Sequence, residues 1–288
     1  MSNLSNVPWI GGEHRRTESD TECDRGIFVA DPSPWFDVWR RGTEQARRRT
    51  AEVRVDIAYG NRESERFDLY LPNHQPRRLP FAAFVHGGEW RRAMRADSGY
   101  PAKAIHRLGA AFVVIGFDTV PSVDLAGQVD QVRRAWRYLV ENAARFGLDP
   151  TRGHLLGHAS GAHLAALAAF DPQGVPPASA VLLSGVYDLE PVRVSAENED
   201  LRLSPETAAR LSPIRCISGA GPTVLVAWGA AEPVESHRQS EAFVRACKLR
   251  GLRTIHGALP GRGHFDTSLE LTNPHSRVLA TLRAQPRN

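Results

Sequence analysis

Apolar and polar residues alternate at Val53, Val55, Ile57 and Tyr59, and again at Phe67, Leu69 and Leu71. A period of two marks a strand with one buried face, so the pattern predicts two strands joined by a hairpin across GNRESE (60–65). Further along, the alternation gives way to unbroken apolar runs: FAAFV (81–85), AFVVIGF (111–117), HLLG (154–157), AVLLS (180–184) and TVLVAW (223–228). Such runs belong to strands buried on both faces, the condition of a parallel sheet covered by helices. Between them the apolar period lengthens. In LAGQVDQVRRAWRYLVENAARFG, Leu125, Val129, Val132, Trp136, Leu139 and Ala143 mark one helix face, which Gly147 and Pro150 close. A second helix runs through SEAFVRACKLRG, with Phe243, Val244 and Cys247 inward and Gly251 as its stop.

Strands alternating with helices after an initial hairpin predict one α/β domain over residues 51–288, with a mostly parallel central sheet and helices on both faces. Residues 1–50 are charged and irregular but carry Trp9, Phe28, Trp35, Phe36 and Trp39. Rings of that size among Pro and Gly imply a segment packed onto the domain, as a strap over its core or as a lid over a pocket.

Composition narrows the partners. The net charge is +4, almost all of it arginine, with lysine only at Lys103 and Lys248. The basic residues are interspersed with acidic ones and lack interleaved aromatics, which argues against nucleic acid. The three cysteines, Cys23, Cys216 and Cys247, are odd in number and far apart, as free thiols in a reducing compartment would be. No CxxC or HExxH spacing suggests a metal. The N-terminus lacks a signal-peptide pattern and no apolar run approaches membrane-spanning length, so the expectation is a cytoplasmic protein with no membrane partner.

Chemistry concentrates in four places. LLGHASGAHLAAL (155–167) is a buried strand, a tight turn and a helix, with Gly157 and Gly161 framing position 159. In a G-x-S-x-G elbow the framed residue is the nucleophile, and here it is Ala159. A register shifted by one would offer Ser160, but His158 and Ala162 would then crowd a turn that needs glycines. His86-Gly87-Gly88-Glu89-Trp90 ends an earlier buried strand, and its paired glycines leave backbone N–H groups free to face an oxyanion. Glu232 follows the strand TVLVAW, and His264 lies in the glycine-flanked loop GRGHFD. The order 159, 232, 264 is that of nucleophile, acid and histidine in α/β-hydrolases. Glu235 competes as the acid but better suits the first turn of the following helix. His14, His74, His106, His237 and His256 lack comparable settings, and no cysteine neighbours any of the four motifs.

Together HGGEWRRA, QVRRAWRYLVENAARFGLDP, GHASGAHLAAL, LLSGVYDLEP, ESHRQS and GRGHFD resemble the kynurenine formamidase (arylformamidase) branch of the α/β-hydrolases, over roughly Val53 to Leu269. The resemblance implies the α/β-hydrolase fold and a cofactor-free hydrolase that opens an aryl formamide, amide or ester through an acyl-enzyme. Relatives cleave carbamates and other xenobiotic amides and esters, and often form homodimers. It places the nucleophile at position 159, the acid at Glu232 and the base at His264. The amides of Gly87, Gly88 and Ser160 would form the oxyanion hole. Glu89, Trp90, His158, Phe265, Trp35 and Phe36 would wall the substrate pocket. Three departures stand out: alanine where the family has serine, glutamate where aspartate is commoner, and Glu89 beside the oxyanion glycines, where it either meets a cationic group of the substrate or faces solvent. Ala159 reads as a replaced serine in an inactivated hydrolase. The competing reading is a natural pseudo-hydrolase that binds a ligand without cleaving it.

Overall fold

The computed structural model describes residues 33–73, 78–92, 94–219 and 221–283. Its framework is one eight-stranded sheet in the order β1-β2-β4-β3-β5-β6-β7-β8. The strands are β1 (Glu52–Ala58), β2 (Arg66–Leu71), β3 (Leu79–Val85), β4 (Ala111–Ile115), β5 (Leu148–His158), β6 (Ser179–Leu183), β7 (Thr223–Gly229) and β8 (Thr254–Leu259). β1 and β2 form the predicted antiparallel hairpin, and β2 pairs antiparallel with β4. From β4 through β3 to β8 every pairing is parallel. This is the α/β-hydrolase fold.

The unbroken apolar runs are explained by two cores, one on each side of the sheet. Phe81, Ala83 and Val85 of β3 enter one core, while Ala82 and Phe84 enter the other. Successive side chains of a strand point to opposite faces, so a strand covered twice has no polar position to spare. The principal helices are α1 (Ser33–Arg49), α2 (Ala102–Arg107), α3 (Leu125–Glu141), α4 (Ser160–Ala169) and α5 (Val234–Leu249). α3, α4 and α5 cover the first face; α1, α2 and the C-terminal turns cover the second. The predicted stripe of α3 is buried, and the Asp124 side chain caps its start by accepting the Gly127 N–H at 2.8 Å. All ten residues of α4 are buried, as its run of alanines allows.

Three expectations change. Residues 33–49 form a helix where an irregular segment was expected: Trp39, Thr43 and Ala46 give it one buried stripe. The aromatics in its first turn hide that period. In β1 the register slips between Arg54 and Ile57, and Val55 is left exposed, so the simple alternation fails there. β8 is a strand that alternation did not announce, since its residues are only half-buried at the sheet edge. The lid reading of residues 1–32, with Trp9, His14, Cys23 and Phe28, lies outside the described residues, as does His74. Among the described residues no helix is long and apolar enough to cross a membrane.

Candidate active site

β5 ends at His158, and the chain turns into α4 through Ala159 at φ 53°, ψ −125°. An alanine in that region costs about 1–3 kcal/mol and persists only where its surroundings fix it. The Ala159 N–H donates to the Leu183 carbonyl at 2.9 Å, and the Ala159 carbonyl accepts from Ala162 at 3.0 Å. The two glycines explain the register. A Cβ on Gly157 would lie 2.5 Å from the Gly161 carbonyl oxygen, and one on Gly161 would collide with the carbonyls of Val85 and His86. Position 159 is therefore the strained apex, and Ser160 is already the first residue of the helix. Gly161→Ala is expected to destabilise the protein by about 2–3 kcal/mol, the cost of overpacking against rigid backbone. Urea unfolding measures this, and an unchanged midpoint would refute the close approach.

The loop after β3 packs against this apex. Gly87 is near enough that an added Cβ would stand 3.0 Å from the His158 carbonyl and 3.2 Å from the Ala159 Cβ. Gly88 has φ +120°, a conformation other residues rarely adopt. The His86 ring is buried and donates from Nδ1 to the Gly87 carbonyl at 2.8 Å. Burial lowers the pKa of this imidazole to about 4.

Glu232, three residues beyond β7, and His264, in the loop after β8, meet over 32 positions of sequence. The His264 Nδ1–H donates to Glu232 Oε2 at 3.0 Å, and both side chains are buried. The other carboxylate oxygen accepts from Ser184 Oγ at 2.6 Å and from the Gly229 N–H at 2.5 Å. Burial by itself would raise the acid's pKa. The hydrogen bond and charge of His264, with the Ser184 and Gly229 donors, outweigh it and hold Glu232 down at about 2. Glu232 is thus ionised and fixed, and its bond to Nδ1–H selects the neutral His264 tautomer in which Nε2 is the acceptor nitrogen. His158 donates from Nε2 to the His264 carbonyl at 2.8 Å, tying the histidine loop to the elbow. Glu235, the competing acid, is instead engaged by Arg238 and Gln239 in the first turn of α5.

Ala159, Ser160, Gly87, Gly88, Glu89, Trp90, His158, His264, Phe265 and Phe36 all line one cleft. Trp35 does not line it; it packs behind, while Trp39 takes the wall position one turn along α1. The Trp39 ring stacks on Tyr100, meets Phe265 and His158, and donates its indole N–H to Ser268 at 3.0 Å. Trp90 is buried in the cleft wall, and its indole N–H donates to His163 of α4 at 3.3 Å. Glu89 is half-exposed at the rim and paired with Arg91 at 3.2 Å and Arg92 at 3.8 Å. The Arg92 guanidinium sits 5.2 Å above the Phe36 ring. Sequence reasoning missed Ser184, whose only signal was a serine at a strand end, and missed Met94, Ser98, Tyr100 and Arg92 on the cleft wall. Among the described residues no group of three or more His, Cys, Asp or Glu side chains is placed to hold a metal. Cys247 is buried in the core and its thiol pKa is pushed up to about 12, and Cys216 is likewise away from the cleft.

The chain has relatives among known proteins. The BD-FAE family model matches residues 67–174, from β2 through the elbow. The chain is 32% identical over 245 residues to the kynurenine formamidase of Danio rerio, covering 81% of this chain and 82% of that protein. It is 30% identical to the Salmo salar kynurenine formamidase over the same shares. Among solved structures, a putative thioesterase from Silicibacter sp. tm1040 superposes with a TM-score of 0.82 at 24% identity, covering 93% of this chain and 99% of that one. That likeness speaks for the fold, and the identity to the formamidases, held over four-fifths of both partners, speaks for descent. The chain belongs to the α/β-hydrolase superfamily, as an esterase- or amidase-type hydrolase related to the kynurenine formamidases.

Proposed function

We propose that this scaffold serves a serine hydrolase of arylformamidase type, cleaving an aryl formamide, amide or ester through an acyl-enzyme, with serine at position 159 in the active form. The observation that carries the reading is the buried Glu232–His264 pair, with an ionised Glu232 orienting the imidazole beside a strained elbow. A seryl Oγ on that apex would attack the substrate carbonyl while His264 Nε2 takes its proton. The oxyanion would be met by the amides of Gly87, Gly88 and Ser160, each such donor being worth about 3–4 kcal/mol in the transition state. His264 would then protonate the departing amine or alcohol, and water would release the acid by the reverse sequence. Phe36, Trp39 and Phe265 supply flat apolar surface suited to an aryl group.

Formamides, aryl esters, and xenobiotic amides or carbamates all satisfy this design. The formamide is favoured by the relatives, which are kynurenine formamidases. The Ala159→Ser protein assayed on N-formylkynurenine, an aryl ester, an aryl acetamide and an aryl carbamate is expected to turn over the formamide with the highest kcat/KM, releasing formate. A faster carbamate or acetamide would move the function to the xenobiotic class. Ala159 itself supports a second reading, a ligand-binding pseudo-hydrolase. That reading requires an aryl ligand to bind tightly and the serine variant to stay silent on the whole panel.

A further inference from the structure

The loop that follows β3 is held in an unusual backbone. Gly88, Glu89 and Trp90 have φ values of 120°, 56° and 60°, three consecutive residues in the left-handed region. For Glu89 and Trp90 this backbone is strained and needs strong external restraint. The restraint converges on Trp90. Its carbonyl accepts from the Val120 N–H at 3.0 Å and from Gln128 Nε2 of α3 at 2.7 Å. Its indole N–H donates to His163 Nδ1 at 3.3 Å, and His163 Nε2–H donates onward to the Leu211 carbonyl at 2.8 Å. Burial keeps His163 neutral by lowering its pKa to about 4, so Nδ1 remains an acceptor. The last anchor is the Trp90 backbone N–H, which donates to Ser160 Oγ at 3.3 Å, with both residues buried.

Ser160 therefore stands on both sides of the site. Its backbone N–H belongs to the elbow, immediately after position 159. Its side chain grips the loop that carries Gly87 and Gly88. An oxyanion is stabilised only if donors from the two segments keep one spacing, and that spacing is sensitive to shifts well below 1 Å.

Resting on the hydrolase reading above, we infer that Ser160 is a positioning residue: its Oγ clamps the Trp90 amide to the N-terminus of α4 and so fixes the two halves of the oxyanion hole against each other. The hydroxyl accepts from Trp90 here, and Ser160 lies one residue past the apex.

The test uses the Ala159→Ser protein as parent and adds Ser160→Ala or Ser160→Thr. Alanine suits the first turn of a helix, so the first variant keeps the fold, which circular dichroism and the urea midpoint check. Ser160→Ala is expected to lower kcat about 10- to 100-fold while KM moves less than about 3-fold. Affinity for an aryl trifluoromethyl ketone, which forms a tetrahedral adduct, should fall in parallel with kcat. Ser160→Thr, which keeps the hydroxyl, should recover most of the loss. The pH profile of kcat/KM should not move, since His264 and Glu232 are untouched. An active parent with Ser160→Ala at full kcat, or changed in KM alone, overturns this inference and leaves the hydrolase reading intact. A silent parent overturns the hydrolase reading and this inference with it.

Discussion

Replacing Ala159 by serine is expected to raise kcat on the best aryl substrate by about 10⁶-fold, the loss seen when a triad serine is removed from an otherwise intact hydrolase. The magnitude follows from what the site already holds. In a triad hydrolase without its nucleophile, the oxyanion donors and binding alone leave about 10³–10⁴ over water. What alanine cannot supply is the covalent step. On the proposed reading, the Ala159 methyl group, at the apex beside Gly87, stands where a seryl Oγ would be carried. In the serine background, Glu232→Gln should then cost about 10⁴ in kcat, because the amide can stabilise the wrong imidazole tautomer. Single-turnover and steady-state kinetics on the four proteins made by combining the two substitutions give both numbers. A gain that survives Glu232→Gln intact would mean that His264 is oriented by something else. No gain at all would favour a binding protein on a hydrolase scaffold.

The second large effect is acid instability. His86, His154 and His163 are buried, and burial lowers each pKa to about 4, against about 6.5 in an unfolded chain. Each imidazole is thus protonated more readily unfolded than folded, and linkage makes stability rise with pH between those two values. On acidification from pH 7 the folded state should lose on the order of 3 kcal/mol per histidine by pH 4, close to the whole stability of an ordinary domain if all three act. Glu232 contributes in a lower window. Its folded pKa is depressed, so its contribution is complete above the unfolded value near 4.3 and is lost as pH falls towards about 2. Urea titrations at half-unit steps between pH 7 and pH 4 should show a falling midpoint with up to three protons taken up on unfolding. A flat profile across that range would contradict the neutral buried imidazoles. His163→Gln should remove about one proton from the slope and also loosen Trp90, linking this measurement to the proposed clamp on the loop after β3.

Much of this protein follows from its sequence alone. Period-two alternation and unbroken apolar runs identify the hairpin and the parallel strands, because a strand side chain has only two faces to choose between. The elbow, the paired glycines, Glu232 and His264 are legible since each chemistry demands particular residue types in a particular chain order. Gly157 and Gly161 could be assigned to a tight turn before any contact with Val85, His86 or Ala162 was known. Other features depend on distance through space, which no local pattern encodes. Ser184 enters the site only because β6 and β7 are neighbours, bringing its hydroxyl to Glu232 across 48 positions. Trp39 replaces Trp35 on the cleft wall because residues 33–49 coil into a helix, which sets the two rings on nearly one face but one turn, about 6 Å, apart along its axis. Trp90 lines the pocket as expected and is an anchor as well, because α3 and α4 pass close enough to bond it from both sides. Local chemistry thus named the candidate reacting groups, while tertiary packing decided which buried neighbours hold them, since those bonds form only where distant segments meet.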